Sequence, residues 1–218
     1  MKRFLITVLL ITMAAAGVFS QNGTIRELTG EVELKHAGSS NFVAASAGDV
    51  ISPNTIVSTG FRSTAVITVG NSLITVRPLT RLSFAEIQSA QNDETVNVNL
   101  QAGRVRVEVT PPAGTRTNLT VQSPSATASV RGTIFEMDVE NMNTVEGKVI
   151  LTGSSGIGVI VTEGNSSSTK VDGTVTDPAT VAAQSTQPQS PPGTPPPDLI
   201  TTTAESNTGN LDFNFTYH

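Results

Sequence analysis

Apolar residues recur at every second position through most of the chain, and no long window carries them at helical spacing. Phe135, Met137 and Val139 alternate with Glu136, Asp138 and Glu140, while Val105, Val107 and Val109 alternate with Arg104, Arg106 and Glu108. Val96, Val98 and Leu100 alternate with asparagines. Period-2 patterning turns one set toward a core and the other toward water, as on a pleated strand. The same reading predicts strands at 31–35, 55–58, 63–69, 73–77, 81–87, 118–122, 149–151, 158–162 and 168–171. Gly48, Gly60 and Gly70 fall at the spacing of short strands joined by tight turns.

The most particular stretch is 123–139. A run of small and β-branched residues ends at Val130, and a cleanly alternating strand starts directly after Thr133. Arg131, Gly132 and Thr133 therefore form a corner between two extended segments. A glycine corner leaves backbone acceptors open, so the five donors of Arg131 are expected to fold back onto them.

Composition supports the pattern: only 14% of residues are charged and 4% aromatic, with Val, Thr, Ser, Gly and Asn in their place. The expected class is all-β, a chain of short strands and turns. A formal net charge of −5 disfavours nucleic acid as a partner, because phosphate binding needs surplus Lys and Arg.

The chain opens with Lys2 and Arg3, then an uncharged run over 4–19, then small residues up to Ser20. That is the order of a secretory signal, placed at 1–20. The run is shorter than the ~20 residues that span a bilayer, so no transmembrane span is expected in the mature form. The absence of cysteine excludes both disulfides and a lipid-bearing thiol, and leaves an exported domain to rest on its own core. After the signal come a lead at 21–29, a β domain at 30–175, a linker at 176–200 and a tail at 201–218. The linker is rich in proline from Pro188 to Pro197. Leu211, Phe213, Phe215 and Tyr217 alternate in the tail, a strand that docks either on the domain or on the outer membrane.

Candidate chemistry is sparse. His36 lies in a strand and His218 at the end of the sequence, and neither has partners nearby for catalysis, cofactor binding or metal ligation. Glu136, Asp138 and Glu140 stand ~7 Å apart on one strand face. They would hold Ca²⁺ only with oxygens from loops, and a solvated row that resists edge aggregation is the expected role. From 61 to 133 the seven basic residues are all arginine, against four acids, for a balance of +3; from 134 onward two lysines face ten acids, for −8. These arginines, Arg62, Arg77, Arg81, Arg104, Arg106, Arg116 and Arg131, either offer forked donors to carboxylated or phosphorylated envelope polymers or pair with the downstream acids across neighbouring strands, with the strand positions of Arg104 and Arg106 deciding between the two. Pairing is the expected arrangement. Arg104, Arg106, Arg131, Gly132 and Thr133 are thus the residues expected to matter, for structure or for partner contact.

Several motifs in order resemble the FecR domain: Gly30-Glu31-Val32; Ala47-Gly48-Asp49-Val50-Ile51; Ser58-Thr59-Gly60; and Val69-Gly70-Asn71-Ser72. The block around Gly103, the stretch from Ser123-Pro124 to Val130-Arg131-Gly132-Thr133-Ile134-Phe135, and Val145-Glu146-Gly147-Lys148-Val149 complete the resemblance. It implies a periplasmic β-rich module of stacked short strands, in a solenoid-like or sandwich-like arrangement. The best-known FecR proteins are transmembrane regulators that pass an iron-uptake signal to a sigma factor through a cytoplasmic N-terminal segment. Here only Met1, Lys2 and Arg3 precede the apolar run, so fold and compartment are expected to carry over and the anti-sigma role is not. The reading is a non-catalytic, exported, periplasmic or cell-surface binding or scaffolding module without a cofactor. Its partner would be an envelope protein or polysaccharide. The alternative is a periplasmic sensor that partners a separate membrane protein.

Overall fold

The computed structural model describes residues 19–90 and 92–178. Residues 1–18 of the expected signal, most of the linker and the tail strand lie outside the described residues, while the last two signal residues, Phe19 and Ser20, are described. In chain order the strands are β1 (Phe19–Ser20), β2 (Gly23–Thr29), β3 (Val32–Lys35), β4 (Val43–Ala44), β5 (Val50–Ile51) and β6 (Ile56–Thr59). There follow β7 (Thr64–Val69), β8 (Ser72–Val76), β9 (Arg81–Ala90), β10 (Asp93–Ala102), β11 (Arg104–Val109) and β12 (Arg116–Gln122). The last are β13 (Ala126–Val130), β14 (Ile134–Asp138), β15 (Asn141–Glu146), β16 (Lys148–Gly153), β17 (Gly158–Thr162) and β18 (Ser166–Ser168).

Two sheets share these strands. Sheet A runs β17-β16-β13-β12-β10-β9-β6-β3-β4 with β1 on β9, and sheet B runs β18-β15-β14-β11-β8-β7-β2-β5. The chain passes from one sheet to the other every one or two strands. Leu82, Phe84 and Leu119 from sheet A meet Ile67, Val107 and Phe135 from sheet B in one buried cluster. This is sheet-on-sheet packing, with each strand's alternation supplying one inward row.

The solenoid-like expectation is overturned. Coils of a solenoid stack successive strands in parallel, whereas here every described strand pairing is antiparallel except β10 with β12. Adjacent hairpins, rather than coils, build the two layers. The lead at 21–29 contains β2, which pairs with β7 and buries Ile25, so the core starts earlier than its sequence suggests. β15 escaped the apolar pattern because one inward position is Thr144, whose hydroxyl bonds the Val161 carbonyl at 3.2 Å. The last described strand, β18, lies ahead of the predicted 168–171; its inward residue, Ser167, is polar too.

Crossings between the sheets follow a recurring chemistry in which a serine or threonine hydroxyl packs against a glycine. Ser63 Oγ accepts the Glu31 N–H at 2.8 Å beside Gly30. Thr80 Oγ1 accepts the Arg104 N–H at 2.9 Å beside Gly103. Thr133 Oγ1 donates to the Lys148 carbonyl at 3.0 Å beside Gly147. Leaving the sheet removes a ladder partner from each of these backbone groups, and a short side-chain hydroxyl replaces it without exposing the core.

Candidate functional site

The outer face of sheet B carries the charged residues that the sequence singled out. β11 lies between β8 and β14, in a register that sets Arg106 opposite Thr75 on one side and Glu136 on the other. Arg104 faces Asp138 in the same pairing. Arg77, just past β8, donates through Nη2 to Glu136 Oε1 at 2.8 Å, and Arg106 Nη1 approaches the same oxygen at 3.6 Å. Arg106 Nε donates to Glu108 at 2.9 Å, and Arg104 Nη2 donates to Asp138 at 3.0 Å. Arginine and carboxylate thus alternate across three strands, and the downstream acids pair with the upstream arginines.

Electrostatics follow from that geometry. The hydrogen bond from Arg77 holds Glu136 below its ordinary 4.5, with burial opposing and the Arg77 and Arg106 charges adding. Burial pushes Asp138 up, but the N–H groups of Asn141 and Glu140, with Arg104 and the Asn141 side chain, outweigh it and hold the carboxyl below 3.8. The hydrogen bond to Glu108 raises Arg106, against burial and with the Glu108 and Glu136 charges. Neither Glu136 nor Asp138 is therefore a proton donor at neutral pH.

A carboxyl held low in the folded chain protonates more readily once unfolded. This stabilisation is complete above the unfolded values and is lost as pH falls through the folded ones. The melting temperature is expected to drop as pH falls below about 4.5, and Glu136→Gln to reduce that acid loss. Because the pairs are partly solvated, each contributes at most about 1 kcal/mol, or about 2–4 °C in melting temperature. Identical acid profiles for the two proteins would remove the ladder from the account of stability.

Around the ladder the surface is concave. A cleft of about 530 Å³ is lined by Arg77, Leu79, Gly103, Arg104, Glu136 and Asp138. A neighbouring groove of about 440 Å³ shares Arg104, Glu136 and Asp138 and continues to Asn141, Asn143 and Ser166. Leu79, 62% exposed, adds an apolar lip. Arg104 uses one nitrogen on Asp138 and keeps over half of its side chain in solvent. Its remaining donors suit a carboxylate or carbonyl of a partner.

Arg131, Gly132 and Thr133 do not join this site. They sit at the crossing from β13 in sheet A to β14 in sheet B, and Arg131 and Gly132 border a groove of about 830 Å³ on the outer face of sheet A. Arg131 is exposed, and its Nε donates at 2.8 Å to Asn118 Oδ1 on β12. Its side chain thus reaches across to β12 rather than folding onto the turn, where Thr133 holds the crossing through the Lys148 carbonyl and the Thr133 carbonyl accepts the Val109 N–H at 3.0 Å. Arg131→Ala is accordingly expected to shift the melting temperature by no more than about 2 °C, measured by thermal unfolding. A drop beyond about 4 °C would restore a structural role for the guanidinium.

Sequence reasoning did not single out Leu79, and it counted Arg77 only as one of seven arginines expected to pair with downstream acids, without its partner. Arg77 reads as the end of a strand before Pro78, and only the register of β8 on β11 brings it to Glu136. Among the described residues, no group of three or more His, Cys, Asp or Glu is arranged to hold a metal ion, and no helix is long and apolar enough to cross a membrane. Arginines and backbone donors take up Glu136 and Asp138.

The two facing sheets define a β-sandwich module with a charged outer face. Residues 55–176 match the profile of the FecR protein family, and the chain belongs to that family. No curated protein matches the chain. Two crystal structures of a protein from Parabacteroides distasonis, provisionally named an anti-sigma factor, are similar at 14% identity and a TM-score of 0.45. The similarity covers 59% of this chain and 62% and 63% of those chains, less than two thirds of their length.

Proposed function

We propose that this chain is a non-catalytic sensor or signalling component of the cell envelope that acts by binding a separate membrane protein. The match of residues 55–176 to the FecR protein family carries the reading, since the family resemblance implies regulators rather than enzymes. The cleft around Arg104 supports it chemically. It offers fixed, solvent-facing guanidinium donors, an apolar lip at Leu79 and a hydrogen-bonding wall at Asn141 and Asn143, a mixture suited to a polypeptide surface. Neither carboxylate there is disposed to donate a proton, which fits binding better than turnover.

The proposal includes export to the periplasm or cell surface with removal of residues 1–20, which N-terminal sequencing of the mature protein checks. A photocrosslinking residue in place of Arg104 tests the partner in intact cells, with Thr120 on the opposite sheet as the control position. The expected result is one membrane protein captured from position 104 and not from 120. Retention on peptidoglycan with no protein captured would overturn the sensor reading in favour of a scaffold.

A further inference from the structure

We infer that β17 is a docking edge for a second copy of this chain, the two β17 strands pairing antiparallel about a two-fold axis through Ile160. This surface is separate from the Arg104 cleft and does not depend on the signalling reading. Among the described residues the sheets end at four edges. β4 and β5 have two residues each and β18 has three, whereas β17 has five. Short edges template little pairing, but a longer uncharged one invites it. β17 contains no charged residue and no proline, and Ile157 and Ile160 are 63% and 62% exposed.

Hydrogen-bond alternation shows what this edge presents. Gly153 donates to the Ile157 carbonyl at 3.0 Å, and the register continues with Leu151 opposite Val159 and Val149 opposite Val161. These are the hydrogen-bonded pairs of the β16–β17 ladder, so the backbone groups of Gly158, Ile160 and Thr162 point away from β16 to the open side. That set is self-complementary. Turned about Ile160, it exchanges both bonds of an axis pair with the partner's Ile160, and Gly158 meets the partner's Thr162. The Thr162 carbonyl, which already accepts the Asn165 N–H at 3.1 Å, retains a lone pair for this bond.

Side chains fit the same axis. Ile150 stands directly opposite Ile160 on the outer face and is 52% exposed, so pairing would place four isoleucines in one row across the join. Lys148 stands beside Thr162, whose counterpart across the axis is the partner's Gly158, and no like charges meet. An apolar patch of this kind spans on the order of 300–600 Å² per copy. The join therefore buries no more than about 1,200 Å², the lower limit for stable complexes. A reversible dimer that forms at micromolar or higher concentration is the consequence.

Because the chain has no cysteine, a single introduced thiol reads this register directly. An axis pair sets its Cα atoms about 5.5 Å apart, within disulfide reach. Under mild oxidation of the full mature chain, Ile160→Cys should crosslink to a dimer several-fold more than Thr162→Cys or Ile150→Cys alone. A mixture of Thr162→Cys with Gly158→Cys should crosslink where neither does by itself. In sedimentation velocity the unaltered chain should gain mass with concentration, and Ile160→Lys should stay monomeric with an unchanged circular dichroism spectrum. Equal crosslinking of Ile160→Cys and Thr162→Cys, or an unaltered chain that remains monomeric at all concentrations, would overturn the proposal.

Discussion

Gly103→Ala is expected to lower the stability of the domain by at least about 3 kcal/mol, seen as a melting temperature reduced by roughly 6–12 °C. Two effects add. Gly103 has φ +86°, in the left-handed region where a side chain is strained, which costs about 1–3 kcal/mol. A Cβ at this position would also lie 2.5 Å from the Thr80 Cα and 2.7 Å from the Leu79 carbonyl oxygen. Both are backbone atoms that no rotamer change can clear. Displacing them strains the junction where Thr80 receives the Arg104 N–H and gives its own N–H to Thr59 Oγ1 at 3.0 Å. Since Leu79, Gly103 and Arg104 line the cleft, the variant should lose partner capture at position 104 as well as heat resistance. A melting curve within 2 °C of the parent would mean that the crossing relaxes freely.

Phe135→Ala should cost about 3–5 kcal/mol, or roughly 6–20 °C in melting temperature. Phe135 is fully buried on β14, in register with Val107 on one side and Thr144 on the other. It is one of two phenylalanines among the largest buried side chains, the other being Phe84 on sheet A. With so few aromatics, no neighbour is large enough to fill the space it leaves. Phe135→Leu keeps most of the volume and should lose less than half as much. If both variants melt together, side-chain volume at this position is not what holds the layers.

Much of the fold was legible because period-2 patterning is a local property. The alternations over 96–100 and 104–109 each became a strand with the apolar row inward, as did 135–138, where the strand ends one residue before Val139. The reading weakened wherever an inward residue was polar. Thr144 and Ser167 bury their hydroxyls on backbone carbonyls, so β15 and β18 carry no clear apolar alternation. The glycines announced turns but not that several would be sheet crossings, which depends on the Ser or Thr that meets each from elsewhere in the chain.

The candidate site was half legible. An excess of arginine before 134 and of acid after it foreshadowed pairing, and Arg104 and Arg106 sit beside Asp138 and Glu136. Which acid Arg77 would meet was not foreseeable, because that depends on β8 lying against β11, a pairing between segments some thirty residues apart. Arg131 showed the opposite limit. Its unusual local sequence suggested a role within the turn, while the structure lays it along sheet A against Asn118.

Sequence by itself determined that this chain is all-β, which residues of its cleanly alternating strands face inward, and its resemblance to the FecR domain. These follow from side-chain alternation and short-range turn chemistry, which act within a few residues. Tertiary structure alone decided that the strands form two facing antiparallel-rich sheets rather than a coil of parallel rungs, which arginine meets which carboxylate, and that β17 is the longest edge strand among the described residues. Those outcomes depend on register between distant segments, which is fixed only when both apolar faces are buried together.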